Sequence, residues 1–119
     1  VASRGLGDVY KRQEINFEPN KCIVSLESVP PMFNPQGTLH GGIITTIMDI
    51  SMGHLIKNEQ SAGTTLELKV NFMSAIKHEK IKCIGSFLKK GRTISTLDSK
   101  LFREDGKLAA YATSTWKIL

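Results

Sequence analysis

The sequence predicts an α+β fold in which an antiparallel sheet wraps around one apolar helix. Three observations carry this. Residues 41–57 read as a helix whose apolar positions, Ile43, Ile44, Ile47, Met48, Ile50, Met52, Leu55 and Ile56, surround most of the circumference, as in a helix buried on nearly all sides. Four strand-like segments follow, joined mainly by turns that include Lys90-Gly91 and Asp105-Gly106. One strand-like segment precedes the helix, and no second domain, internal repeat or low-complexity tract is present.

The elements follow in order. Lys21 to Val29 alternates and is rich in Cys, Ile, Val and Leu, which predicts a strand. Pro30-Pro31 ends it, and Asn34-Pro35-Gln36-Gly37 continues as a loop. After the helix, residues 57–63 form a polar connection. Thr64 to Met73 alternates, with Leu66, Leu68, Val70 and Phe72 on one face and Glu67, Lys69 and Asn71 on the other. Glu79 to Lys89, Arg92 to Arg103 and Lys107 to Leu119 complete the strands.

Composition bounds the class. The chain has 119 residues, 40% hydrophobic and 23% charged, which suits one globular domain. No apolar run approaches the roughly 18 residues of a membrane span, and no signal-peptide pattern is present, so the cytoplasm is the default location. Cys22 and Cys83 stand in separate strand-like segments and read as buried free thiols. Residues 3–13, Ser-Arg-Gly-Leu-Gly-Asp-Val-Tyr-Lys-Arg-Gln, lack a clear period and resemble the in-frame translation of a sequencing adapter. Residues 1–13 are therefore expected to be a non-native tail, and 14–119 a single domain whose N-terminal element is truncated. The tail carries Arg4, Lys11 and Arg12 against Asp8, a net +2 that leaves +3 of the formal +5 for the rest. That balance gives little support to a nucleic-acid partner.

The chemistry concentrates in Asn34-Pro-Gln-Gly-Thr-Leu-His40-Gly41-Gly42 and the helix it opens. Glycines let a ligand approach the backbone, and free N–H groups at a helix start collect negative charge. Asp49 is a lone carboxylate amid Ile and Met, costly to bury without a purpose. Together these read as an oxyanion site and a base. A Gly-Gly pair before a helix is by itself more often turn chemistry, and one Asp on a helix is more often solvated. His40, Cys22, Cys83 and the acids show no zinc-ligand spacing, and no metal is expected. His54 and His78 receive no role. Lys89, Lys90 and Arg92 would ordinarily form a solvated hairpin, and Trp116, Phe72 and Phe87 read as core residues.

With its downstream Asn71-Phe72-Met73-Ser74 and Lys90-Gly91-Arg92, the pattern resembles the hotdog-fold acyl-CoA thioesterases, most closely the phenylacetyl-CoA thioesterase-like branch. The resemblance spans residues 15–118. It implies that Gly41 N–H polarises the thioester carbonyl and that Asp49 is a base or nucleophile. It further implies that Asn34 and His40 orient the thioester and the loop, and that Thr65 positions the water. Gly42 and Phe72 would contact substrate, Lys90 and Arg92 would meet CoA phosphates, and Ile44, Met48, Met52 and Phe72 would line an acyl pocket built from two subunits. The substrate would be an acyl- or aryl-CoA, with no cofactor.

Eight residues of helix place Gly41 and Asp49 about 12 Å apart along the axis. If both act on one thioester, Asp49 must meet Gly41 of another subunit, which a two-fold homodimer with shared sites provides twice. In the resembled family dimers also pair into homotetramers. Three rivals remain: a non-catalytic acyl-CoA-binding hotdog module, a hotdog dehydratase, whose His-containing loop is not found here, and a basic nucleic-acid binder.

Overall fold

The computed structural model describes residues 2–119, with the side chains of residues 2–5 left undescribed. Val1 of the expected tail lies outside the described residues. The elements are helix α1 (Ala2–Arg12), strands β1 (Glu14–Glu18) and β2 (Lys21–Glu27), a 3-10 turn (Pro30–Met32), helix α2 (Gly41–Glu59), and strands β3 (Gly63–Phe72), β4 (Lys80–Lys89), β5 (Ile94–Phe102) and β6 (Leu108–Ile118). The strands form one six-stranded sheet in the order β1-β2-β4-β5-β6-β3, antiparallel at every pair. α2 packs across its inner face.

The inner face is built by alternation. Cys22, Val24 and Leu26 of β2, Ile81 and Cys83 of β4, Leu97 and Leu101 of β5, and Ala110, Ala112 and Trp116 of β6 are all buried. They enclose Ile44, Ile47, Met48, Met52, Leu55 and Ile56 of α2. The expected central helix and sheet are therefore both present. Cys22 and Cys83 are buried and free, and burial pushes their thiols up to about 12 and about 11.

Helix and sheet meet at backbone distance. A Cβ on Gly85 would lie 2.7 Å from the carbonyl oxygen of Ser51, so only glycine lets α2 sit there. Beside this contact Ser51 Oγ and Ser99 Oγ share a hydrogen bond of 2.8 Å, Ser51 Oγ donates to Met48 O at 2.6 Å, and Cys83 Sγ lies 3.0 Å from Ser99 Oγ. At the β4–β5 turn a Cβ on Gly91 would stand 1.9 Å from the Ile94 carbonyl oxygen, which makes that turn equally dependent on glycine. The Asp105-Gly106 hairpin closes as expected, with Arg103 N–H donating to Lys107 O at 2.9 Å.

Four expectations need correction. β1 was not expected: with Ile15 its one residue that is not exposed, it is an edge strand with almost no alternation to read. Residues 3–13, read as lacking a clear period, are helical as far as Arg12, with Val9 fully buried and Leu6 packed against the core. Leu66 was expected to share a face with Leu68 and Val70, but it is 55% exposed. A β-bulge between Thr65 and Glu67 inserts one extra residue, so Thr65 and Leu68, three apart, turn to the helix side together. Phe72, read on its own as core, is 56% exposed.

The tightness at Gly85 gives a test of the packing. Gly85→Ala is expected to destabilise the fold by about 1–3 kcal/mol, as overpacking does, measured by urea unfolding. An unchanged midpoint would show that α2 can retreat from the sheet at no cost.

Candidate functional site

The loop before α2 is pinned at several points. Phe33 and Leu39 form an isolated antiparallel bridge, His40 N–H donates to Met32 O at 2.8 Å, and Leu39 N–H donates to Ile76 O at 2.7 Å. Inside the loop Asn34 Oδ1 accepts from Gln36 N–H, Thr38 N–H and Thr38 Oγ1 at 3.1–3.2 Å. Asn34 therefore shapes the turn, the local hydrogen bonding to which Asn is suited.

His40 caps α2. Its Nδ1 accepts from Gly42 N–H at 3.0 Å, so the ring proton of the neutral form sits on Nε2. The His40 carbonyl takes the N–H groups of Ile43 and Ile44. Of the first four N–H groups of the helix, only that of Gly41 makes no hydrogen bond among the described residues. A Cβ on Gly41 would meet the Phe72 ring at 3.6 Å, an ordinary contact, so the ring at the end of β3 forms one side of this N–H. Next to His40 and Gly42 a cavity of about 570 Å³ opens, bounded also by Leu6, Pro31, Phe33, Pro35 and Ile43.

Asp49 lies two turns further on, half-buried, in a cleft of about 410 Å³ with Tyr10, Thr45, Thr46, Ile50, Thr65 and Leu68. Thr65 Oγ1 donates to Asp49 Oδ1 at 3.0 Å, made possible by the bulge at Leu66. Burial raises the Asp49 carboxyl above its ordinary value, and the Thr65 hydrogen bond partly opposes this by favouring the charged form.

The structure thus gathers the sequence candidates into two groups: Asn34, His40, Gly41, Gly42 and Phe72 at the start of α2, and Asp49 with Thr65 about 12 Å along it. Lys90 stands apart from both. It pairs with Glu59 at 2.6 Å at the far end of α2, 4.7 Å over the Phe87 ring. Arg92 is exposed in the same turn. Ile44, Met48 and Met52, expected in the pocket, are buried in the core and border neither hollow. Thr46, Phe33 and Tyr10 were missed. Thr46 carried a readable signal, since it stands four residues after Gly42 and three before Asp49 on the same helix face. No cluster of three metal-ligating side chains occurs among the described residues, and no helix among them is long and apolar enough to cross a membrane.

A single apolar helix seated in an antiparallel six-stranded sheet, with its N-terminus opening onto a cavity, defines the hotdog fold. The thioesterase superfamily profile matches residues 36–110, and the chain belongs to that family. A Saccharolobus solfataricus protein named as an esterase is 34% identical over 107 residues, 88% of this chain and 76% of its own. Mouse acyl-coenzyme A thioesterase 13 is 31% identical over 105 residues, covering 85% of this chain and 75% of that protein. Among solved structures, a Streptococcus mutans protein bound to acetyl-CoA superposes with a TM-score of 0.88 at 26% identity, covering 93% of this chain and 91% of that one.

The raised Asp49 carboxyl has a consequence for stability. A group whose folded pKa is raised holds its proton more tightly when folded, so its contribution to stability is lost as pH rises through that pKa. Asp49→Asn is expected to melt with the parent in acid, where Asp49 is protonated, and slightly above it at neutral pH. Melting curves across pH check this; a variant that melts below the parent at neutral pH contradicts the desolvation.

Proposed function

We propose that the protein hydrolyses acyl- or aryl-CoA thioesters to the free acid and CoA. The observation that carries this is a half-buried carboxylate, Asp49, hydrogen-bonded to Thr65 of β3 and carried on a helix whose Gly41 N–H has no partner among the described residues. Negative charge grows on the thioester oxygen during attack, and a fixed N–H aimed there is worth about 2.7–4 kcal/mol. Water attacks poorly at neutral pH, and a carboxylate within hydrogen-bond reach takes its proton. Gly41 serves the first need and Asp49 the second, with Thr65 holding the carboxylate and the water. His40 and Asn34 keep the loop in shape around the carbonyl, and Gly42 and Phe72 border the thioester. The names of the mouse relative and the acetyl-CoA in the S. mutans neighbour support CoA thioesters as the substrate class.

The active unit in this proposal is a homodimer. One helix cannot bring Gly41 and Asp49 to the same carbonyl, because about 12 Å separates them. β3 supports the pairing: it is an edge strand, paired among the described residues with β6 on one side alone, that leaves Leu66 and Phe72 exposed, with Met73 just beyond them. Lys90 and Arg92 would then serve the site to which their own subunit gives Asp49, since Glu59, the partner of Lys90, is about 15 Å from Asp49 but about 27 Å from Gly41 along α2. Lys90 must leave Glu59 to meet a phosphate, whereas Arg92 forms no ion pair among the described residues. We take residues 14–119 as the catalytic domain, against which α1 packs Leu6 and Val9.

Release of free thiol from a panel of acyl-CoAs tests the activity. Asp49→Asn is expected to lower kcat by about 10²–10⁴-fold with a much smaller change in KM, the size of a general-base contribution. Because Asp49 must be ionised to act, the acid limb of the parent profile should lie above that of an ordinary aspartate, and Thr65→Val should move it higher still. A variant turning over within a few-fold of the parent would remove Asp49 from the mechanism.

Mixed dimers test the shared site. Gly41→Pro removes the N–H at the first helical position, where proline is tolerated, and His40 already has the extended backbone (φ −62°, ψ 133°) that a following proline requires. Each homodimer of Gly41→Pro or Asp49→Asn should be nearly inactive. In a heterodimer one site carries both lesions and the other neither, so activity should approach half the parental value. No recovery, with heterodimers confirmed by mass and each variant folded, would rule out sites shared between subunits.

A further inference from the structure

Two hollows lie side by side along one face of α2. The larger, at the helix start, is bounded by Phe33, His40 and Ile43, and the smaller surrounds Asp49 and Thr65. Of the residues lining them, Thr46 alone is common to both. Its position explains this, one turn from Gly42 on one side and from Asp49 on the other. From the opposite bank α1 gives Leu6 to the first hollow and Tyr10 to the second, again one turn apart.

Thr46 is a fixed wall. Its Oγ1 donates to Gly42 O at 2.8 Å, which holds a β-branched side chain that already has few rotamers in a helix. The polar atoms around the larger hollow are mostly satisfied within the chain. Asn34 Oδ1 accepts three hydrogen bonds, His40 Nδ1 is taken by Gly42 N–H, and the Thr46 hydroxyl by Gly42 O. What the hollow mainly offers is hydrocarbon surface, against which an entering group gains by apolar burial.

We propose that Thr46 is a specificity-determining residue that ends the acyl cavity and limits the length of the unbranched apolar chain it accepts. This rests on the thioesterase reading above for the identity of the ligand. A chain filling the larger hollow meets Thr46. Trimming that side chain joins the hollow to the Asp49 cleft, and each further buried methylene then adds roughly fourfold in affinity, the equivalent of ~0.8 kcal/mol.

The test uses the full chain as parent, Thr46→Ala and Thr46→Val. Alanine suits a helix and opens the wall; valine keeps the bulk and drops the hydroxyl. Binding of straight-chain acids from butanoic to tetradecanoic is measured by calorimetry, and turnover of the matching CoA thioesters by thiol release. Thr46→Ala is expected to extend the longest well-bound chain by about two carbons, with roughly fourfold per methylene, and to leave short acids unchanged. Thr46→Val should keep the parental limit. A Thr46→Ala profile equal to the parent's overturns the proposal, as does a Thr46→Val profile that follows alanine's, or an absence of acid binding in all three proteins. Lengthening in the acid series without turnover of any thioester supports the wall and removes the thioesterase reading. Turnover with an unaltered length profile does the reverse.

Discussion

The contact between the Ser51 carbonyl and Gly85 sets the position of everything else. It brings the α2 backbone against the sheet, where no side chain could stand between them. The hydroxyls of Ser51 and Ser99 and the Cys83 thiol then link helix, β5 and β4 in a chain of short polar contacts. All three side chains are buried, so a helix that slid or turned would leave polar groups without partners in an apolar core. The rotation of α2 is therefore fixed. Successive helical residues are about 100° apart. With Ser51 held on the sheet, Asp49 two positions earlier must point to nearly the opposite side. That is how a helix so apolar can bury Met48 and Met52 and still keep Gly42, Thr46 and Asp49 on a half-open face.

The edge of the sheet completes the arrangement. β3 lies outermost, where an extra residue can be inserted without breaking a ladder on both sides. The bulge at Leu66 turns Thr65 toward Asp49 while Leu68 and Val70 still pack against the core, so one irregularity serves both a hydrogen bond and the hydrophobic interior. At the other end of the strand Phe72 leaves the core and stands beside Gly41. The strand thus touches both groups of candidate residues, one at each end of its length.

Much of this was legible in the sequence, for reasons particular to each element. The apolar circumference of α2, the alternation of β2 and the turns that set off the strand-like runs of β4, β5 and β6 are strong signals, and they gave the helix-in-sheet architecture. Asp49 stood out because a charge among Ile and Met has few bland explanations. What escaped reading was what alternation cannot encode. β1 has Ile15 as its one residue that is not exposed, so it offered no pattern. A bulge shifts the register by one and hides in the sequence as an ordinary leucine, which reversed the expected face of Leu66. α1 escaped because its segment resembles translated adapter sequence and was set apart from the fold, although Leu6 and Val9, three apart, pack inward as on one helix face. Ile44, Met48 and Met52, expected in a pocket lined from two subunits, are buried within one chain. Being apolar did not distinguish residues facing a cavity from residues facing the sheet, and the seating of α2 on Gly85 decided between them.

The electrostatic demands of the proposed reaction explain why the two groups sit where they do on one helix. The positive end of a helix acts over its first turn, so it favours the oxygen that gains charge at Gly41 and does little for a group two turns away. Asp49 sits in that second region, where burial raises its carboxyl and makes it a better proton acceptor once ionised, while Thr65 keeps it from rising too far to ionise. Had Asp49 stood in the first turn, the same dipole would have favoured its charged form and weakened it as a base. A helix start suited to an oxyanion and an apolar helix middle suited to a base are therefore incompatible at a single position. In the proposed reaction, using both on one thioester would require the end of one helix to meet the middle of another, and a second subunit would supply it.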